Sequence, residues 1–278
     1  MFVPIVLALS TDGNSRYCFL DPYNGGSIAV AEACRNVSCV GAEPIALTDC
    51  LNFGNPENTE VYYQLEWCIK GMARACRMLN VPVISGNVSL YNETRGEAIY
   101  PTPVIGALGL LENIQQHVTS DFKKEGELVV LIGQSTWKNS TTSFAGSEYL
   151  ERIHHLVAGR PLIDLQLESR VQAFCRNSIR DGLVTAAHDC SDGGLAVALA
   201  EACITGNMGF TGTVDIQGRW DSALFGESQS RILATVQQDF LPLLTQRANE
   251  SDIPMMTLGV LTGDRLIIPN FIDIPITE

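Results

Sequence analysis

Three groups of polar side chains in this sequence lie where apolar, strand-forming runs end. The first group is Asp49, with Asn52 and Asn55 behind it in the run TDCLNFGNPE (48–57). A carboxylate at the end of a strand can hold Mg²⁺, which takes one or two carboxylates together with substrate phosphates. The same residues are also typical of an Asx turn that closes a strand. The pattern alone leaves both interpretations open.

The second group lies in VPVISGNVSLYNE (81–93), where an apolar run predicts a buried strand and small polar residues follow it. Gly86 would let a phosphate approach the backbone, Asn87 offers a neutral oxygen to a metal, and the Ser89 hydroxyl can bond an anionic group. The weaker candidates in the same run are Asn92 and Glu93. An ordinary hairpin or loop is the alternative interpretation.

The third group, HDCSDGG (188–194), also stands between an apolar run and a helix-forming one. Gly193 and Gly194, at the positive end of the helix dipole, favour an anion. Asp189 and Asp192 repel an anion unless a metal or a capping role occupies them, and Asp192 is alternatively a plain helix cap. A lone histidine such as His188 is more often a structural group than a catalyst. This group therefore ranks second as a ligand site.

Two further loops combine an acid, an amide and a guanidinium. They are TDGNSRY (11–17), which contains Asp12, and FGESQSR (225–231). Either loop could bind phosphate, although salt-bridged surface loops have the same composition. The sequence contains no G-x-x-x-x-G-K-[ST], and no G-x-G-x-x-G follows a strand, so any nucleotide must be bound by another route.

The elements that position these groups follow from the hydrophobic periodicity. In the first part of the chain the patterns predict strands at 1–10, 45–50, 81–84 and 100–111, a turn at 21–26, and helices at 27–40 and 59–79. In the second part they predict strands at 128–133, 183–188, 209–215, 231–236, 257–262 and 265–268, and helices at 146–158, 165–181 and 193–204. This alternation favours two layered α/β or α+β domains.

The polar run ENIQQHVTSDFKKEG (112–126) predicts a linker between the two domains. We therefore expect an N-terminal mixed-sheet α/β domain at 1–117 and an α+β domain at 118–278. A short echo relates GGSIAVAEAC (25–34) to GGLAVALAEAC (193–203). Both copies predict a glycine pair that opens a helix and lets it approach a sheet or an anion closely. The match is too short to favour a true duplication.

Composition limits the classes of partner. The 278 residues carry a net charge of −13 and include four lysines, so no basic surface for nucleic acid or an anionic membrane is expected. No apolar run approaches the ~20 residues of a membrane span. The nine cysteines include no C-x-x-C pair, and the apolar start lacks a basic segment typical of a secretion signal. We expect buried free thiols and a cytoplasmic location.

Five motifs together point to a family. They are TDCLNFGNPE (48–57), VPVISGNVSLYNE (81–93), PTPVIGALGLLE (101–112), AHDCSDGGLAVALAEA (187–202) and LFGESQSR (224–231). With these motifs, essentially the whole chain resembles the C-terminal half of phosphoribosylformylglycinamidine synthase subunit II. This family shares the fold of aminoimidazole ribonucleotide synthetase, with paired α/β and α+β subdomains.

The resemblance implies a reaction and a set of ligands. ATP phosphorylates the amide oxygen of formylglycinamide ribonucleotide, and glutamine-derived ammonia then displaces phosphate from this iminophosphate to give the amidine. For this chain the resemblance implies ATP contacts at Asp49 and Gly86, Mg²⁺ at Asn87, and substrate at Ser89. The implied partners are the N-terminal half of the synthetase, a glutamine amidotransferase subunit and a small bridging subunit.

The resemblance also implies what this chain does not supply. The family's catalytic histidines, its ATP-binding lysine and most of its acidic Mg²⁺ ligands belong to the N-terminal half, so no catalytic residue is assigned here. We therefore expect negligible synthetase activity from this polypeptide alone. The alternatives are another ATP-using enzyme of the same superfamily and a non-catalytic scaffold half that holds a nucleotide. A homodimer is also plausible if a face normally covered by the other half is exposed.

Overall fold

The computed structural model describes residues 6–134, 141–214, 216 and 218–277. Its first part contains one four-stranded sheet, a small hairpin and three helices. The elements in chain order are β1 (Val6–Asp12), α1 (Ser15–Leu20), α2 (Pro22–Cys39), β2 (Glu43–Asn52), α3 (Thr59–Leu79), β3 (Val83–Ser89), β4 (Glu93–Thr94), β5 (Glu97–Ala98) and β6 (Thr102–Leu111). The sheet has the order β1-β6-β2-β3, and only β2 and β3 pair in parallel.

Helix α3 forms where the periodicity predicts it. The Asn58 side chain accepts a hydrogen bond from the Glu60 amide at the N-terminus, and Asn80 ends the helix in the left-handed conformation with φ 56°. Its buried positions are Val61, Cys68, Gly71, Met72 and Ala75, which form one face. The predicted helix at 59–79 is confirmed.

Helix α2 begins earlier than predicted. Asp21 caps it and Pro22 occupies its first position, so the predicted turn at 21–26 is wrong. Gly25 and Gly26 therefore lie inside the helix. A Cβ at Gly25 would meet the Cys18 nitrogen at 2.5 Å, and helix α1 could not pack as closely. These glycines serve helix packing, whereas the corresponding pair at Gly193 and Gly194 begins a helix.

One face of the first sheet is covered and the other is open. Along β6, buried residues alternate with half-buried ones, and α2 packs on the buried side. On the other side Leu7 and Leu9 are 56% and 79% exposed. Strand β3 is an edge strand whose residues are exposed or half-buried, so the prediction of a buried strand at 81–84 is wrong beyond Val81.

The second part contains a seven-stranded sheet. Its elements are β7 (Leu128–Gly133), α4 (Glu148–His154), α5 (Leu165–Arg180), β8 (Val184–Asp189), α6 (Gly194–Gly206), β9 (Phe210–Gly212), α7 (Trp220–Phe225), β10 (Arg231–Val236), α8 (Leu241–Glu250), β11 (Met255–Leu261), β12 (Arg265–Ile268) and β13 (Ile272–Pro275). The strand order is β13-β12-β9-β11-β7-β10-β8. The predictions missed α1, α7, α8 and β13, and the small hairpin of β4 and β5.

The second sheet is buried on both faces, unlike the first. Along β7, Val129 and Leu131 belong to one apolar core, while Val130 and Ile132 belong to another. The predicted boundary between residues 117 and 118 falls between β6 and β7 and stays a prediction. In the described part of the chain, no helix has the length and apolarity needed to cross a bilayer. The two layers of α/β and α+β type are confirmed.

Candidate functional site

Asp49 and Gly86 lie side by side at one edge of the first sheet. They are register partners between β2 and β3. A Cβ at position 86 would come within 2.0 Å of Asp49 Oδ1, so a side chain here would displace the carboxylate from its present position. Burial raises the pKa of Asp49, and no hydrogen bond or ion pair to its carboxylate is present among the described residues. The pair thus presents an unengaged carboxylate beside a bare backbone.

Asp12 shares a row of the sheet with this pair. Both Asp12 and Asp49 are register partners of Ile105, one from each side, and Gly86 continues the row. Neighbouring strands lie about 4.8 Å apart, so the two aspartates stand about 10 Å from each other. All four residues belong to the helix-facing side, because Ile105 is buried there.

Asn87 and Ser89 lie on the opposite, open face. Successive strand residues alternate between faces, and Asn87 pairs in register with Cys50 while Ser89 pairs with Asn52. Asn87 is exposed and Ser89 half-buried. The polar residues lie within β3 itself and not in a loop behind it, contrary to the sequence prediction. The four main candidates thus share one edge but divide between its two faces.

Two of the weaker candidates hold local structure. The Asn92 amide donates to the carbonyl oxygens of Phe53 and Ser89 at 3.0 and 2.9 Å. The Asn52 amide donates to the Thr102 carbonyl at 3.2 Å, which ties β2 to β6. Glu93 is exposed in the β4 and β5 hairpin. These contacts shape the edge around Ser89.

A second polar cluster lies between the first sheet and β8. Asn36 donates to Asp12 at 2.6 Å, and burial together with the nearby Asp189 charge raises the pKa of Asp12 to about 6. Burial also raises the pKa of Glu32 well above its usual value, and the charges of Asp12 and Asp189 add to this. Sequence reasoning missed Glu32 and Asn36, although polar residues within the alanine-rich helix α2 were a signal.

Arg35 is the centre of this second cluster. It donates to both carboxylate oxygens of Glu168 at 2.9 and 3.3 Å and to Gln229 at 2.8 Å. Its Nη1 lies 3.6 Å from Asp189 Oδ2, and these two buried atoms have no hydrogen-bond partner in the part of the chain that the structure describes. Burial lowers the pKa of Arg35, but the facing carboxylates of Glu168 and Asp189 raise it overall. The guanidinium therefore stays charged and links α2 to the second sheet.

The glycines of the third group do not face an open anion site. The Gly193 amide donates to Glu227 Oε1 at 2.8 Å, so a carboxylate of the chain already occupies this position. Asp192 does not cap α6: its carboxylate accepts from Asn14 at 3.4 Å, and Gly193 is the capping residue without a side-chain bond. His188 pairs with Glu201 at 2.9 Å.

Glu227, the acid of the FGESQSR loop, is a buried carboxylate whose partners the sequence did not indicate. It accepts from the Tyr17 hydroxyl at 2.5 Å and from the Glu148 amide at 2.8 Å. Burial raises its pKa to about 7. In the same loop the Arg231 guanidinium donates to the Ser228 carbonyl at 2.9 Å, and at the other loop Arg16 donates to the Gly146 carbonyl at 2.8 Å. The arginines of both candidate phosphate loops are thus engaged by the chain.

The donor set does not form a complete metal site. Over residues 6–134, 141–214, 216 and 218–277, no group of three or more His, Cys, Asp or Glu side chains is arranged to hold a metal ion. Asp49 and Asn87 are oxygen donors of the kind that Mg²⁺ uses, but they point to different faces. Each could therefore supply only one oxygen to Mg²⁺, with the other ligands coming from a phosphate or another chain segment.

Comparison with protein families assigns both parts of the chain. Residues 4–111 match the AIR synthase related protein, N-terminal domain, and residues 124–269 match the corresponding C-terminal domain. The chain belongs to the AIR synthase related family. The predicted resemblance is confirmed by relatives of the same kind.

Two relatives show how much of a full-length protein is present. The chain is 50% identical over 277 residues to phosphoribosylformylglycinamidine synthase subunit PurL of Thermomicrobium roseum, which covers 98% of this chain and 37% of the relative. It is 49% identical over 263 residues to the same subunit of Moorella thermoacetica, covering 94% of this chain and 35% of the relative. The chain thus spans little more than a third of these relatives.

Solved structures confirm the fold. Thermotoga maritima PurL complexed with FGAR superposes with a TM-score of 0.83 at 19% identity, covering 98% of this chain and 45% of that chain. Hydrogenase maturation protein HypE in complex with ATP superposes with a TM-score of 0.69 at 14% identity, covering 95% of this chain and 78% of that chain. At these identities the likeness concerns the fold alone.

Proposed function

We propose that this chain forms one wall of an ATP-dependent synthetase that converts formylglycinamide ribonucleotide to the amidine, as the C-terminal half of the synthetase subunit. The observation that carries the proposal is the unengaged Asp49 carboxylate beside Gly86 at an exposed sheet edge. The identity of 50% to a synthase subunit supports the reaction class, which is C–N ligation in purine biosynthesis.

In this proposal, the two faces of the edge have different roles. Asp49 and Gly86 contact ATP, where the missing side chain at Gly86 lets the nucleotide reach the backbone. Asn87 supplies one oxygen to Mg²⁺, and the Ser89 hydroxyl bonds the ribonucleotide substrate. When bound, Mg²⁺ would neutralise phosphate charge during phosphoryl transfer. The residues of this chain bind and orient the reactants, and none of them is assigned to proton transfer.

The open face of the first sheet supports pairing with a second synthetase half, on the same or another polypeptide. Leu7, Leu9, Leu108 and Leu110 share this face, and β1 and β6 place them in register as two cross-strand pairs. A sheet face of this kind is normally covered, since exposed contiguous apolar surface favours association. Asn87 and Ser89 lie on the same face, so a covering half would complete their site.

The other partners belong to the same proposal. We expect a glutamine amidotransferase subunit to deliver ammonia and a small bridging subunit to join it to the synthetase. If no second half is present, the open face allows a homodimer. The nine free thiols support operation in a reducing cytoplasm.

A second candidate function is a nucleotide-holding scaffold half. The observation that favours it is the same unengaged Asp49 carboxylate beside Gly86, since this edge could hold a nucleotide although no catalytic residue is assigned to this chain. In this alternative the chain holds a metal-bound nucleotide permanently and has a structural role in the assembly.

Mixing this chain with an N-terminal synthetase half distinguishes the two candidate functions. We expect no turnover of formylglycinamide ribonucleotide by this chain alone, and turnover after mixing. Asn87→Ala and Ser89→Ala should each lower the turnover of the mixture by about 10²-fold, while Asn113→Ala should not. Unchanged turnover in both variants would contradict the shared site, and nucleotide retained by the chain alone through gel filtration would favour the scaffold.

A further inference from the structure

A groove on the outside of helix α3 carries several positive charges, unlike the rest of this acidic protein. It encloses about 700 Å³ and its lining includes Tyr23, Trp67, Lys70, Arg74, Arg77 and Met78. It lies on the helix side of the first sheet, away from the open face. The groove therefore stays accessible when a second synthetase half covers the sheet.

The groove concentrates positive charge that the chain does not balance. Lys70 pairs with Glu66 at 2.8 Å. Among the described residues, no carboxylate lies within ion-pair distance of Arg74 or Arg77, whereas most other arginines are paired, as Arg265 is with Asp273. The net charge of the chain is −13, so two unbalanced arginines on one helix face form a local exception. Such a patch selects a negatively charged partner.

The aromatic rings in the groove are already covered by cations. Lys70 Nζ lies 4.7 Å from the ring centroid of Trp67, and the Arg74 guanidinium carbon lies 5.6 Å from that of Tyr23. Trp67 and Tyr23 meet edge to face at 5.7 Å, which leaves no gap between parallel rings. A planar base could stack here only by displacing a cation. The groove therefore suits carboxylates better than a nucleotide.

We propose that this groove binds an acidic, amphipathic helix of a partner protein. Lys70, Arg74 and Arg77 follow each other at spacings of four and three residues, so they form a stripe about 10.5 Å long on one face of α3. Carboxylates at the same spacing on a facing helix would meet all three cations. Met78 and Ile69, both exposed, supply apolar contact beside the stripe. Trp, Tyr and Arg are the residues most enriched at the centres of protein interfaces.

The proposal is tested with the whole chain and a designed probe. The probe is a fluorescently labelled helical peptide of about 18 residues with glutamates at i, i+4 and i+7 and leucines beside them. We expect saturable binding by fluorescence anisotropy, with an affinity that falls as salt rises. The double variant Arg74→Glu/Arg77→Glu should weaken binding at least about tenfold, and Arg74→Lys/Arg77→Lys should retain most of it.

Arg95→Glu is the matched control. Arg95 is exposed, lacks a carboxylate partner among the described residues and lies outside the groove. Equal loss of peptide binding in Arg95→Glu and in the single variant Arg77→Glu, which changes the charge by the same two units, would overturn the proposal, because only the net charge would then matter. Binding of a matched peptide with glutamines in place of the glutamates, with equal affinity, would also overturn it.

Two further outcomes decide against the proposed occupant. Displacement of the peptide by inorganic phosphate or ATP at an equimolar concentration would indicate a small-anion site. Absence of saturation with a well-folded chain would reject the docking site. Neither outcome bears on the synthetase proposal, since recombined turnover is measured without the peptide and depends on the sheet edge at Asp49, Gly86, Asn87 and Ser89, none of which lines the groove.

Discussion

Both polar clusters of this protein contain carboxylates, but the clusters differ in whether the described part of the chain engages these carboxylates. At the sheet edge, Asp49 is half-buried beside Gly86, and no donor among the described residues engages it. In the cluster between the sheets, Arg35 and Glu168 are fully buried and bonded to each other. The edge can therefore bind a ligand or another chain, whereas the inner cluster mainly holds the two parts of this chain together.

Arg35→Leu should give the largest effect, because it breaks the inner cluster. Removal of the guanidinium leaves Glu168 buried without its cation, and we expect a loss of about 3–5 kcal/mol in the free energy of unfolding. Urea denaturation measures it. The control is Arg265→Ala, which breaks an exposed pair with Asp273 and should cost less than about 1 kcal/mol. Equal costs would show that the inner cluster does not link the two parts.

Gly86→Ala should disturb the edge more locally. The added Cβ would meet the Asp49 carboxylate, so we expect a loss of about 1–3 kcal/mol in the free energy of unfolding. The double variant Asp49→Ala/Gly86→Ala removes the obstacle and should recover most of that loss relative to Asp49→Ala. Additive effects of the two substitutions would contradict the contact that defines the edge.

The inner cluster should also give the protein a pH dependence of stability. Burial raises the pKa of Asp12 to about 6, so the folded state binds this proton more tightly than the unfolded state does. The contribution of Asp12 to the free energy of unfolding is complete below about pH 4 and is lost as the pH rises through about 6. We expect the free energy of unfolding of Asp12→Asn to decrease by about 1–2 kcal/mol less than that of the unmodified chain between these pH values. Asp264→Asn, at an exposed position, should leave the profile unchanged.

The sequence predicts the edge better than the inner cluster, for a physical reason. Asp49, Gly86, Asn87 and Ser89 lie within two short runs, and their strands pair in parallel, so local pattern is sufficient to bring them together. The local pattern could not reveal that Asn87 and Asp49 occupy different faces of the sheet, because the face of each residue depends on where β3 begins and on its register with β2. The prediction that β3 ends before its polar residues is wrong for this reason.

The inner cluster depends on contacts between residues far apart in the chain. Arg35 meets Glu168 and Gln229 across more than a hundred residues, and no periodicity in α2 indicates such a pairing. The same holds for Glu227, which accepts from Tyr17, 210 residues away. The prediction that Gly25 and Gly26 open a helix is wrong, because a glycine pair that permits close helix packing has the same sequence pattern as one that begins a helix.

The central claim is that the edge of Asp49, Gly86, Asn87 and Ser89 is one wall of a shared nucleotide site. An isothermal titration of this chain with Mg²⁺ and ATP, alone and mixed with an N-terminal synthetase half, tests it most directly. We predict weak binding by the chain alone and at least about tenfold tighter binding by the mixture, with the gain abolished by Asp49→Ala. Equally tight binding with and without the second half would contradict the claim.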